Sequence, residues 1–218
     1  LLMTEAEVRG HYYQMHAMKE GAGIAPLPRR NDELIVAMHE GQKSFWTEGN
    51  RILTYAVDRQ SFFDPKDEFE ASSTSEAEYQ SIANAACKGE PSITVPAFMQ
   101  DYVQIVQNMC LAAKDWVGLC AGCGIQINYR PERDVDSSLD GLVFKVRKKS
   151  TERGIPVSFL ASSFFPFEKE TRPYLNISNR YFFSHHDKVG LLRHEIGHIL
   201  GYKHEQLNGP LACQDDMD

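Results

Sequence analysis

His194-Glu195-Ile196-Gly197-His198-Ile199-Leu200-Gly201-Tyr202-Lys203-His204 is the stretch around which this chain is organised. On a helix, residues four positions apart lie about 40° apart around the axis, so the imidazoles of His194 and His198 project from one face and can share a metal ion. His204 would point to another side if the helix continued. The helix therefore has to stop between His198 and His204, and Gly201 is the residue able to take the left-handed conformation that ends it. Three imidazole ligands, a helix stop and a tetrahedral position left for water form the pattern of a catalytic zinc ion, Zn2+, rather than of a structural one.

Glu195 stands beside the first ligand without being needed as one, so its carboxylate is placed to take a proton from water. Zinc makes that feasible by lowering the pKa of water from about 15.7 towards about 7 and by polarising a carbonyl under attack. Val189, Leu192, Ile196, Ile199 and Leu200 form an apolar stripe at helical spacing, roughly opposite the two histidines. One face of the helix is expected to pack while the other holds metal. Ser184 with Asp187 offers a capping box to start it. His185 and His186 read as polar residues of the first turn, because three ligands are already supplied.

The pattern HExxHxxGxxH resembles that of the metzincin metallopeptidases, whose zinc ligands and general base map onto His194, His198, His204 and Glu195. Glu205 directly after the third histidine is similar to the astacin branch and to secreted bacterial relatives with an HExGHxLGxxHE-type core. The resemblance implies an α+β, zincin-like fold, with a twisted mixed β-sheet, a backing helix and an active-site helix. It also implies an edge strand, just before the last sheet strand, that lies over the cleft and pairs with the substrate backbone. Leu160 to Pro166 occupies that place, which makes Ser162, Ser163 and Phe164 the candidate substrate-binding residues. A secreted or periplasmic location follows from the same resemblance. So does a methionine-containing turn beneath the metal, for which Met217 is the candidate, with only Asp218 behind it. The C-terminal part of the catalytic domain, residues 51 to 218, is therefore expected to be incomplete.

Composition sets the frame. The 218 residues are 42% hydrophobic and 24% charged, which suits one globular domain with an appended arm. A net charge of -7 argues against a nucleic-acid partner, since phosphate binding normally needs a basic face. No run reaches the length of a membrane span and no signal peptide is visible. The chain opens Leu1-Leu2-Met3, which leaves room for a trimmed leader. Cys87, Cys110, Cys120, Cys123 and Cys213 are an odd set. Disulfides and free thiols both remain open, and Cys120 with Cys123 also forms a lone CxxC.

Residues 1 to 50 read as a separable N-terminal helical extension or a pro-segment. An amphipathic helix is expected over 4 to 19, with His11 and His16 as surface or packing residues, and a breaker-rich linker over 21 to 28. Ile52 to Val57 reads as a strand. The acidic stretch from there to about residue 90 reads as solvated surface, with a short helix capped by Ser75. A long backing helix is expected from Val95 to Val117, on the stripe Phe98, Tyr102, Ile105, Met109, Ala112 and Trp116. Gly118 and Gly122 would then end it. Strands are expected at Ile125 to Arg130, Leu142 to Arg147, Val157 to Ser162 and Tyr174 to Ser178. Asp134, Asp136 and Asp140 read as an acidic turn rather than a calcium loop.

The function expected from these residues is zinc-dependent endopeptidase action on a peptide or protein substrate. Two other classes remain open: a non-catalytic zinc-bearing module that binds peptide or matrix, and a zinc hydrolase of a non-peptide amide or ester. The oligomeric state is not legible.

Overall fold

The computed structural model describes residues 37–46, 50–90, 94–119, 124–131, 142–152, 154–171 and 173–203. The expected helix over 4 to 19, the linker after it, Cys120, Cys123, Cys213, the acidic turn, His204, Glu205 and Met217 lie outside the described residues. Within them the chain is α+β with a mixed sheet, and no described helix is long and apolar enough to cross a membrane.

The described chain opens with a hairpin, β1 (Met38–His39) and β2 (Gln42–Lys43), turned through Glu40 and Gly41, both at positive φ. β3 (Ile52–Val57) follows, buried from Tyr55 to Val57, as suits a strand with neighbours on both sides. The acidic stretch after it forms α1 (Glu68–Ser73) and α2 (Glu76–Lys88). Ser75 caps α2 through its side chain, which accepts from the Glu78 amide at 3.3 Å. This stretch is more than the solvated surface expected of it. Tyr79, Ile82, Ala83 and Ala86 share one helical face and are buried against the next helix, and a disulfide joins Cys87 to Cys110 on that helix.

α3 (Gln100–Leu119) is the long backing helix, entered through a short turn of 3-10 helix at Ala97–Met99. Tyr102, Ile105, Met109 and Ala112 are buried as their spacing predicts, with Phe98 and Trp116 partly buried at the ends of the stripe. Val106 and Ala113 widen the stripe. The helix runs through Gly118 instead of ending at it, since that glycine does not take the positive φ that would turn the chain.

The remaining strands are β4 (Gln126–Tyr129), β5 (Phe144–Lys148), β6 (Thr151–Glu152), β7 (Ile155–Pro156), β8 (Ala161–Ser162) and β9 (Tyr174–Ile177). The strand expected over Val157 to Ser162 is not continuous. β6 and β7 form a separate hairpin, and only Ala161 and Ser162 join the main sheet. The Val157 amide stays with the hairpin, donating to the Ser150 carbonyl at 3.1 Å, and Ser178 takes the Phe159 carbonyl with its hydroxyl at 2.6 Å. The main sheet has the order β4-β3-β5-β9-β8. Its first four strands run parallel, and β8 lies antiparallel at the edge, pairing Ala161 with Ile177 and Ser162 with Asn176. Phe144, Val146, Leu175 and Ile177 fill the core with α3.

α4 (Asn179–Phe183) is a single short helix, and α5 (Lys188–Ile199) carries the histidine motif. The cap of α5 differs from the expected box. Asp187 is the N-cap and accepts from the Gly190 amide at 2.9 Å, while the Ser184 hydroxyl bonds back to the Tyr181 carbonyl at 3.0 Å. Ser184 closes α4; Asp187 opens α5. His185 and His186 consequently lie in the link between the two helices and not in the first turn.

Candidate metal centre

The fully buried side chains of Leu192, Ile196 and Ile199 anchor α5 in the core, each worth about 1.5 to 3 kcal/mol of burial. Their spacing fixes the rotation of the helix and sends His194 and His198 to the same side, with ring centroids 4.5 Å apart and planes perpendicular. That side is not open to solvent along its length. His198 and Glu195 are buried, because the chain leaving β8 lies across them.

α5 ends as its glycine predicts. Gly201 has φ +102°, its amide donates to the His198 carbonyl at 2.9 Å, and the Tyr202 amide donates to the Gly197 carbonyl at 2.9 Å. These two bonds are the Schellman pair that satisfies the last carbonyls of a helix. The turn has a chemical consequence. It folds the Tyr202 carbonyl back to 2.7 Å from Nδ1 of His198. A carbonyl only accepts, so Nδ1 carries the proton and Nε2 is the nitrogen with the lone pair, the tautomer a metal ligand needs.

Segments distant in sequence hold the same helix end. The Ala37 amide donates to the Gly201 carbonyl at 2.6 Å, and the Trp46 indole donates to the Ile199 carbonyl at 2.7 Å. Thus residues 37 to 46, read from sequence as part of a separable extension, pack directly on the motif. Trp116 of α3 also donates to the helix, to the Arg193 carbonyl at 2.7 Å, and stacks on Tyr202. Gly197 permits that approach: a Cβ there would stand 3.3 Å from the indole ring.

Glu195 is wholly buried. Its Oε2 accepts from the Ser163 hydroxyl at 2.7 Å, and Oε1 has no partner among the described residues. Burial pushes its pKa up to about 7, and hydrogen bonding from Ser163 works in the other direction. A carboxyl so placed is poised near neutrality, where a group that must both take and return a proton is most effective. Phe165 closes the site, its ring edge-on to His198 at 5.3 Å and stacked on Phe167, which in turn stacks on His39 of the hairpin.

The candidate substrate-binding residues occupy different environments. Ser162 is buried at the sheet edge and its hydroxyl accepts from the Asn176 amide at 3.4 Å. Phe164 is buried against Phe144. Ser163, between them, turns its hydroxyl to Glu195. Both residues of β8 are buried, and the side chains of Ser162, Ser163 and Phe164 are all engaged within the fold. Of the three expected ligands, His194 and His198 are brought together and His204 lies outside the described residues. Among the described residues no group of three or more His, Cys, Asp or Glu side chains converges on one point. A zinc ion would suit the donors that are present: two imidazoles on one face, one with its tautomer fixed, beside a buried carboxylate oxygen lacking a partner among the described residues.

Sequence reasoning missed the partnership of Ser163 with Glu195, 32 residues apart, for which no local pattern exists. It also missed the Tyr202 carbonyl, although a glycine-terminated helix whose last turn holds a candidate ligand was a usable sign. No protein-family model matches the chain, and no curated protein matches it.

Proposed function

We propose that this chain is a zinc-dependent endopeptidase of zincin-like architecture, with His194, His198 and His204 as the metal ligands and Glu195 as the general base. The observation that carries the reading is Glu195 itself. A carboxylate wholly buried beside a perpendicular histidine pair, with one oxygen tied and the other without a partner among the described residues, is costly unless it has work to do.

The sheet supports the substrate class. β8 is the outermost strand, runs antiparallel to its neighbour, immediately precedes β9 in the chain, and leads directly into Ser163. An extended peptide added to that edge would gain main-chain hydrogen bonds and bring its carbonyls past Glu195. Zinc, when bound, would supply Lewis-acid polarisation of the carbonyl and acidify the attacking water. Glu195 accepts the proton of that water and afterwards hands it to the leaving amine, which balances the hydrolysis without another acid. The Nδ1 bond to the Tyr202 carbonyl holds the His198 ring in orientation throughout, and Phe165 shields the site from bulk water.

Digestion of a mixed peptide library, with and without a zinc chelator, tests the reading. Glu195→Ala is expected to keep its zinc and lose at least about a hundredfold in turnover, the usual worth of a general base. His198→Ala is expected to lose metal and activity together. Full turnover in Glu195→Ala would overturn the mechanism. A zinc-loaded natural chain that cleaves nothing would point instead to a binding module.

A further inference from the structure

The Ser163 hydroxyl faces two acceptors on one residue, Oε2 of the Glu195 carboxylate at 2.7 Å and the Glu195 main-chain oxygen at 3.0 Å. A serine has one hydroxyl proton to donate. Within a helix a main-chain carbonyl is served by the amide four residues on, whereas Oε2 has no other donor among the described residues and gives the shorter bond. The proton therefore belongs to the carboxylate. Rotation of a glutamate carboxylate about its last bond is broad and roughly two-fold, so burial alone would not decide which oxygen faces the reacting atoms.

We infer that Ser163 is the positioning residue of the general base: by holding Oε2 it fixes the carboxylate rotation and leaves Oε1 as the oxygen that meets the substrate water. The geometry stands by itself; its catalytic purpose rests on the peptidase reading. The inference also separates Ser163 from its neighbours on the edge strand. Its hydroxyl is committed to Glu195, so it is not a side-chain contact for substrate. Because Ser163 directly follows β8, the strand on which a peptide would pair is the strand that orients the base. Docking of substrate and alignment of the base are then carried by one short segment, 161 to 163.

The test has two arms, the first independent of metal and of turnover. Urea unfolding of the metal-free natural chain, Ser163→Ala, Glu195→Ala and the double variant forms a double-mutant cycle. Ser163→Ala is expected to lower the folding equilibrium constant about tenfold in the natural chain and less than about threefold in the Glu195→Ala chain, as loss of a buried hydrogen bond between the two residues requires. In the second arm the zinc-loaded chains digest fluorescently labelled casein. Ser163→Ala is expected to lose about tenfold in kcat with KM and zinc content unchanged, and Ser163→Thr, which keeps the hydroxyl, to recover to within about threefold. Absence of coupling in the cycle overturns the inference, even where cleavage remains chelator-sensitive. A rise in KM with kcat unchanged also overturns it, by making Ser163 a substrate contact. Intact coupling in a zinc-loaded chain that cleaves nothing overturns the peptidase reading, and with it the catalytic purpose given to Ser163.

Discussion

Gly201→Ala tests whether the end of α5 is built as its geometry implies. Two costs add. Gly201 sits at φ +102°, where an L residue is strained by roughly 1 to 2 kcal/mol. An added Cβ would also stand 2.2 Å from the Ser44 main-chain oxygen, and a backbone atom cannot swing aside as a flexible side chain does. Relief requires the hairpin segment and the helix end to part, which threatens the Ala37 amide bond to the Gly201 carbonyl and the two Schellman bonds. Losing two of these three at about 1 kcal/mol each brings the expected destabilisation to about 3 to 4 kcal/mol. Urea unfolding of the metal-free chain measures it, with Gly118→Ala as the control. Gly118 lies inside α3 with nothing within 4 Å, so alanine there should be neutral or stabilising by up to about 1 kcal/mol. A second readout is specific to the site. Moving the Tyr202 carbonyl away from Nδ1 of His198 should weaken zinc binding about 10- to 100-fold in a chelator competition, the usual effect of removing a ligand's orienting partner. A Gly201→Ala chain within about 1 kcal/mol of the natural one would refute the argument from backbone strain and contact.

The disulfide closes a loop with a sequence separation of 23 between α2 and α3, so Cys87→Ala with Cys110→Ala should cost about 3 kcal/mol of stability in urea; a loss below about 1 kcal/mol would contradict this. Metal-free protein should also show a pH signature from Glu195. Its folded pKa, pushed up to about 7 by burial, lies above its unfolded value, so its contribution is fully present below the unfolded pKa and is lost as pH rises through 7. Relative to Glu195→Gln, the metal-free natural chain should lose roughly 3 kcal/mol of stability between pH 4 and pH 8, and parallel pH dependences of the two chains would refute it.

The histidine helix was legible because its information is local. A spacing of four brings His194 and His198 to one face whatever lies around them, and Gly201 marks the stop because few other residues tolerate the conformation needed there. The long stripe from Phe98 to Trp116 was legible for the same reason. The errors came where two local signals competed or where the partner was remote. Ser184 and Asp187 both have capping chemistry, and the assignment turned on α4, a helix too short to announce itself, which claims the Ser184 hydroxyl. The acidic first turn of α2 concealed the face carrying Tyr79, Ile82, Ala83 and Ala86, which only the neighbouring α3 makes sense of. The strand expected from Val157 failed because the Val157 amide stays with Ser150 of the hairpin and the Phe159 carbonyl goes to the Ser178 hydroxyl, a contact nineteen residues away.

What sequence could not supply is the scaffolding that places α5, and that scaffolding follows one rule. Both tryptophans of the chain donate their indole N–H to carbonyls of this helix, Trp116 to Arg193 and Trp46 to Ile199, from positions 77 and 153 residues earlier in the sequence. An indole is large enough to reach from a core position and has a single donor to spend, so each such bond fixes distance and direction together. The Ile199 carbonyl is among the last four of the helix, which lack partners inside it, so Trp46 completes the cap that Gly201 begins. With Ser163 holding Glu195 from the sheet edge, the helix is restrained at its end, its middle and its far side by segments that meet only in the folded chain. A site whose groups must act at fixed separations needs that rigidity before any ligand arrives, because misplacement of about 1 Å can cost a hundredfold in rate. The histidines could be read from a motif, but the restraints that would make them useful lie in residues 37 to 46, 116 and 163, where nothing in the local sequence marks them.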